Sequence, residues 1–215
     1  ENLDNVKNVY LVSQETFHHE QKQEKESREK AYECFETALS IHDELEKIYI
    51  REMDFSKADQ IAEKLIDELL YDVTNRNKAP HVYRRLFGTT TTEGAINIVP
   101  ELIRPLSRRI YLKGRAGTGK SFFMRKIAEA FLAKGFDLEL YHCSFDPDSL
   151  DMVLVPNLGF CIFDSTAPHE FFPEREDDQV IDLYEAVLWQ EKIEQQAQWS
   201  QQADLDEIVN EILSL

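Results

Sequence analysis

Cysteine is scarce and unpatterned: Cys34, Cys143 and Cys161 are odd in number, far apart and outside any C-x-x-C spacing. That speaks against a disulfide framework or a zinc ribbon and points to the reducing cytoplasm, with the thiols serving as small buried hydrophobes. No apolar run approaches the ~20 residues that a membrane span needs, and no signal-peptide pattern opens the chain. The first residue is Glu1 rather than Met, which reads as a segment of something longer. Positive charge is also in short supply, 24 Lys and Arg against 41 Asp and Glu, for a net charge of −17 over 215 residues. Broad nucleic-acid binding rests on neutralising phosphates, so this balance argues against it.

The charge that is present is unevenly spread. Residues 1–77 hold 10 basic and 19 acidic side chains (−9), residues 78–134 hold 12 and 3 (+9), and residues 135–215 hold 2 and 19 (−17). The basic stretch includes Arg84, Arg85, Arg104, Arg108, Arg109, Lys113, Arg115, Arg125 and Lys126. It suits a polyanionic nucleotide, and equally a docking face for one of the acidic ends.

That stretch contains the strongest motif. Gly114, Gly119, Lys120 and Ser121 satisfy G-x-x-x-x-G-K-[ST]. Ile110, Tyr111 and Leu112 before it are β-prone, and Ser121 to Lys134 is amphipathic, with Phe123, Ile127 and Phe131 on one stripe and Gly135 as the stop. Strand, glycine turn and helix N-terminus together aim backbone N–H groups at one point, which suits a phosphate. The cofactor-binding candidates are Gly114, Arg115, Ala116, Gly117, Thr118, Gly119, Lys120, Ser121 and Phe122. The amides of 115 to 121 would hold the α- and β-phosphates, Lys120 would neutralise the γ-phosphate, and the Ser121 hydroxyl would sit on Mg²⁺.

A second anchor is Gly159-Phe160-Cys161-Ile162-Phe163-Asp164, four apolar residues ending in a carboxylate, as a buried parallel strand would present it. Asp164 is the expected second metal ligand, in the Walker B manner. No Glu follows it directly, so the residue that orients water is sought among Ser165, Thr166, His169 and Glu170, with Glu170 and His169 as the catalytic candidates beside Lys120. Each of these singly also reads as an ordinary loop residue. Arg115 and Arg175 are the candidates to touch phosphate late in the reaction. Asp146, Asp148 and Asp151 suit action on a metal or on a phosphate-accepting hydroxyl, the alternative being that Asp146 and Asp148 simply cap a short helix.

Taken in order, residues 1 to about 24 are polar, with a β-prone island at Val9–Val12 that fits no assignment. Cys34, Ala38, Ile41, Leu45 and Ile48 form a helical seam over Glu26 to Glu52. Ser56 with Asp59 resembles a capping box ahead of a second helix bearing Ile61, Leu65 and Leu69, which predicts an αα-hairpin. Residues 72 to 82 read as a linker. A β-hairpin is predicted with Arg85–Thr89 and Ala95–Ile98 as strands, turning at Thr91–Gly94, and a short helical turn between Pro100 and Pro105 follows. Leu138–Cys143 reads as the next strand, delivered by a parallel βαβ crossover. From Val180 onward the pattern is helical, ending in a helix capped by Asp204 and Glu207. The organisation expected is a helical appendage over residues 1–75, an α/β nucleotide-binding domain over 76–187 with a parallel sheet, and a helical segment over 188–215.

The strings Lys113-Gly114-Arg115-Ala116-Gly117-Thr118-Gly119-Lys120-Ser121, Asp146-Pro147-Asp148-Ser149-Leu150-Asp151 and Phe163-Asp164-Ser165-Thr166-Ala167-Pro168-His169-Glu170 resemble those of an uncharacterised bacterial family of tandem P-loop ATPases. Stretches similar to His42-Asp43-Glu44-Leu45-Glu46-Lys47 and Met53-Asp54-Phe55-Ser56-Lys57 follow each unit in that family. The resemblance implies a P-loop fold, ATP and Mg²⁺ as cofactors, and ATP hydrolysis on an undefined substrate. It makes a second P-loop unit, or a homo-oligomer, the expected partner. A small-molecule kinase using Asp148 or Asp151, and a nucleotide-gated interaction module without turnover, are the alternatives.

Overall fold

The computed structural model describes residues 2–91, 94–144, 146–166 and 170–188, with side chains from residue 21 onward except those of 89–95. The helices expected beyond residue 188, Asp204 and Glu207 among them, lie outside the described residues, as do Thr92 and Glu93 of the predicted turn.

The chain opens with one long helix, α1 (Asn2–Glu52), which takes in the β-prone island as well as the predicted helical seam. No proline or glycine occurs before Pro80, so nothing interrupts it, and a short run of weak helix formers is carried by its neighbours. The break comes at Met53-Asp54. The Asp54 carboxylate accepts a 3.0 Å hydrogen bond from the Lys57 N–H and caps α2 (Phe55–Leu70); the cap is therefore Asp54 rather than Ser56. The αα-hairpin reading needs correction as well. α2 turns Ala62, Leu65 and Leu69 into the core beside the sheet and packs on a later helix, so it is built into the α/β core.

Among the described residues eight strands follow: β1 (Val82–Leu86), β2 (Gly88–Thr91), β3 (Gly94–Asn97), β4 (Arg108–Lys113), β5 (Leu138–His142), β6 (Leu150–Val155), β7 (Phe160–Asp164) and β8 (Gln179–Asp182). Helix α3 (Val99–Ile103) precedes β4, and α4 (Lys120–Ala133) links β4 to β5. Six strands form one sheet in the order β1-β5-β6-β7-β4-β8, while β2 and β3 pair as a separate hairpin. The predicted hairpin is thus shifted. Arg85 and Leu86 belong to an edge strand of the main sheet, parallel to β5, and the hairpin starts only at Gly88.

The protein is α/β, but its sheet is mixed, where a parallel one was expected. β6 runs antiparallel to both β5 and β7, and the remaining pairings are parallel. Chain length explains this: β5 to β6 and β6 to β7 are joined by short turns, which return the chain antiparallel, whereas β4 to β5 spans a helix. The crossover through α4 therefore carries the chain past two strands. β6 is buried along its whole length because both faces of the sheet are covered.

One face packs α4 and α2 against Ile110, Leu112, Val153 and Ile162. The other packs α3 and Phe87 against Tyr111, Met152 and Phe163. The segment from Val180, read as helical, instead completes the sheet as β8 and ends in a single 3₁₀ turn at Leu183–Ala186. That turn is fastened to the α1–α2 junction: the Asp54 N–H donates to the Ala186 carbonyl at 2.8 Å, and the Leu188 N–H to the Glu52 carbonyl at 2.8 Å. Among the described residues, no helix is long and apolar enough to cross a membrane.

Candidate functional site

The site is built where β4 ends. Its centre, Arg109 to Leu112, is buried, so the strand is fixed and its carboxyl end delivers the chain to one place above the sheet. The turn 114–119 follows, and α4 begins at Lys120. Gly119 occupies the N-cap position at φ 81°, with no side chain to cap the helix, so the first amides of α4 are left without a side-chain acceptor. Gly117 stands at φ 83°, a left-handed conformation that an L side chain resists.

β7 lies beside β4 in parallel, with Leu112 in register with Asp164. This pairing sets the Asp164 carboxylate next to the turn. Its Oδ2 is 3.4 Å from the Lys120 ammonium, both groups being mostly buried, and its Oδ1 accepts a 2.9 Å hydrogen bond from the Thr166 N–H. Lys120 also donates to the carbonyls of Gly114 and Arg115, the latter at 3.1 Å. Thr118, fully buried, donates its hydroxyl to the Arg115 carbonyl at 2.8 Å. The ammonium thus closes the turn on itself and faces a carboxylate.

Two further contacts bind this corner together. Thr166 Oγ1 accepts from the Gly114 N–H at 3.1 Å and donates to the Gly114 carbonyl at 3.0 Å, joining the chain after β7 to the first residue of the turn. Ser121 Oγ accepts from the Leu150 N–H at 2.8 Å, joining α4 to the start of β6. A hydroxyl with a lone pair still available and a neighbouring carboxylate are the hard oxygen donors that suit Mg²⁺.

Asp151 enters the same corner. The pairing of β6 with β5 shifts register between Tyr141 and His142, leaving Asp151 as the extra residue of a bulge, a device that re-aims a side chain. It lies one residue beyond the Met152↔Phe163 pair, so the β6–β7 register brings it abreast of Asp164. Only 6% exposed, it accepts a hydrogen bond from the Cys143 thiol. Burial first, and the Asp164 carboxylate second, push its pKa up to about 7. Sequence reasoning set Asp151 among three turn carboxylates. Its true position depends on β6, a strand that the sequence reading did not contain.

The other expected residues divide. Gly114, Gly117 and Thr118 are buried in the turn, while Arg115 and Ala116 are half-buried on it. Phe122 is 56% exposed on α4, with the Lys126 ammonium over its ring at 5.1 Å. Glu170 is ion-paired with Lys113 at 3.8 Å, and His169 lies outside the described residues. Arg175 is not a phosphate contact here. Its guanidinium donates to the carbonyls of Arg104 and Leu106, which precede β4 at the opposite end of the strand from the turn. Asp146 accepts from the Asp148 N–H at 3.0 Å and so holds a tight turn ahead of β6, where no helix forms among the described residues.

Two residues outside the expected site, Glu46 and Tyr49, also touch the turn. A Cβ on Gly117 would meet the Glu46 carbonyl oxygen and lie 2.9 Å from the Tyr49 Cβ, so α1 rests on the loop. Near this contact His42, Asp43 and Glu46 bring ligand-type atoms within 4.8 Å of one another, the one such group among the described residues. No family model, curated protein or solved structure matches the chain, so the functional argument rests on this geometry.

Proposed function

We propose that the chain binds ATP with Mg²⁺ on the turn 114–121 and hydrolyses it, the turn acting as a P-loop. The observation that carries this reading is the meeting of three things at the carboxyl ends of two adjacent parallel strands: the uncapped amides of α4, the Lys120 ammonium, and the Asp164 carboxylate 3.4 Å from it. Backbone amides and a helix N-terminus attract a polyphosphate, the ammonium neutralises its terminal charge, and glycine allows close approach. Ser121 and Asp164 are the residues that would hold Mg²⁺, which would supply positive charge to neutralise the phosphates. With the triphosphate in place, Lys120 exchanges its loop carbonyls for phosphate oxygens.

Of the residues expected to orient water, Glu170 is engaged by Lys113. Asp151 is buried and abreast of Asp164 on the neighbouring strand, and we assign it to taking up the proton of the attacking group. This position favours one further reading, in which the attacking group is the hydroxyl of a small acceptor and the protein is a kinase. Phosphate release from ATP without an added acceptor supports hydrolysis, and strict dependence on an acceptor supports the kinase.

The test is a calorimetric titration of the protein with ATP, with and without Mg²⁺. Lys120→Ala is expected to weaken binding by at least about tenfold, the order for losing a charged hydrogen bond to phosphate. Unchanged affinity in that variant overturns the assignment.

A further inference from the structure

Helix α1 lies on the middle of the turn. The ideal Cβ position of Gly117 collides with the Glu46 carbonyl oxygen and lies 3.0 Å from the Glu46 carbonyl carbon, so helix backbone and turn backbone are in direct contact. The seat is small. Tyr49, 1% exposed, and Leu45, 4% exposed, pack with Tyr184 and Val187, the two tyrosine rings meeting edge to face at 6.2 Å. It is also acidic: Asp43 and Glu46 share one cluster with His42, while Glu44 is engaged by Lys47 at 2.6 Å.

We propose that α1 is a lid: it sits on Gly117, and binding of a nucleotide at the turn unseats it over Glu46–Tyr49. The inference rests on the nucleotide reading above and adds its regulation. Three physical facts set its sign. The turn is closed around Lys120 with α1 against it, and it cannot open at Gly117 without moving the helix backbone it touches. Asp43 and Glu46 put negative charge on the stretch of α1 that carries this contact, and a triphosphate arriving on the turn is repelled by it. The apolar cluster that seats this stretch is small, Leu45 and Tyr49 with Ile48, Tyr184 and Val187, and local seats of that size open below global unfolding.

Release has a long reach. α1 has 51 residues, roughly 75 Å at 1.5 Å per residue, and its described side chains from 21 to 30 are exposed. Displacement at the seat therefore moves a lever that extends well away from the sheet. Linkage makes the coupling reciprocal: whatever captures the exposed stretch of α1 over residues 21–30 tightens nucleotide binding by the same factor that nucleotide favours capture.

The experiment titrates the full chain with Mg-ATP as wild type, Tyr49→Ala, Leu45→Ala and the packing-preserving pair Asp43→Asn/Glu46→Gln. It also measures hydrogen exchange of the amides of 42–52 with and without ATP. The two seat variants are expected to bind about tenfold tighter and the charge variant about threefold tighter, within the usual range of allosteric coupling. ATP should speed exchange over 42–52 in the wild type. Equal or weaker binding by all three variants, or slower exchange with ATP, overturns the lid and leaves the nucleotide reading standing. Absence of ATP binding in the wild type and every variant overturns both.

Discussion

A single side chain, Asp151, separates two accounts of the corner above β4. Fully ionised, it would be a carboxylate buried beside another, which a fold tolerates poorly. With its pKa raised to about 7 by burial and by Asp164, it titrates close to neutrality and its ionised form is there to take up a proton. The consequence for stability has a definite sign. An unfolded aspartate titrates near 4, so the folded state favours the proton, and the stability this contributes is complete below about pH 4 and lost as pH rises through about 7. Asp151→Asn carries no such charge. In urea unfolding with chelator and no nucleotide, the variant should gain roughly 2–4 kcal/mol on the wild type between pH 4 and pH 8. A difference that stays flat across that range contradicts the buried, raised carboxyl.

At the scale of elements, legibility followed the kind of force that fixes each one. The turn from Lys113 to Ser121 was readable because the glycine and lysine positions are local requirements of backbone geometry and charge. Asp164 was readable because an apolar run ending in a carboxylate keeps its meaning in any buried strand. β6 was not, since Leu150–Val155 has no alternation, and its antiparallel direction comes from the lengths of its two turns. The site residue that depends on β6, Asp151, was correspondingly left among its neighbours. The start of α2 was misread for a different reason: Ser56 and Asp54 are both good caps, and only the break in α1 decides between them. Here the choice is testable. Asp54→Ala should cost about 1 kcal/mol in thermal unfolding, because the Lys57 N–H loses its 3.0 Å acceptor, and Ser56→Ala should cost only a few tenths. The reverse order would restore the capping box at Ser56.

The whole molecule is held by a clasp that the charge pattern concealed. Arg109 counted among the basic residues of the central stretch as a possible attractor of anions, yet it is 1% exposed and spends its charge inside. Its guanidinium grips Asp178 through Nε to Oδ1 at 2.6 Å and Nη2 to Oδ2 at 2.5 Å. Asp178 also accepts from the N–H groups of Glu174 and Arg175, at 2.8 and 2.9 Å. Burial opposes its charge, but these donors hold its carboxyl below the usual range. The pair fixes the segment that enters β8, and β8 leads directly to the Leu183–Ala186 turn on which the α1–α2 junction is fastened. Breaking the clasp should therefore loosen both the sheet edge and the seat of α1. Arg109→Leu alone leaves an unpaired buried carboxylate and should cost about 3–5 kcal/mol in denaturant unfolding. Replacing both partners, Arg109→Leu with Asp178→Leu, removes that orphaned charge and should recover most of the loss, since a buried pair contributes little net stability over an apolar substitute. A double variant as unstable as the single one would mean that the hydrogen bonds to the Glu174 and Arg175 amides, rather than the ion pair, organise the approach to β8.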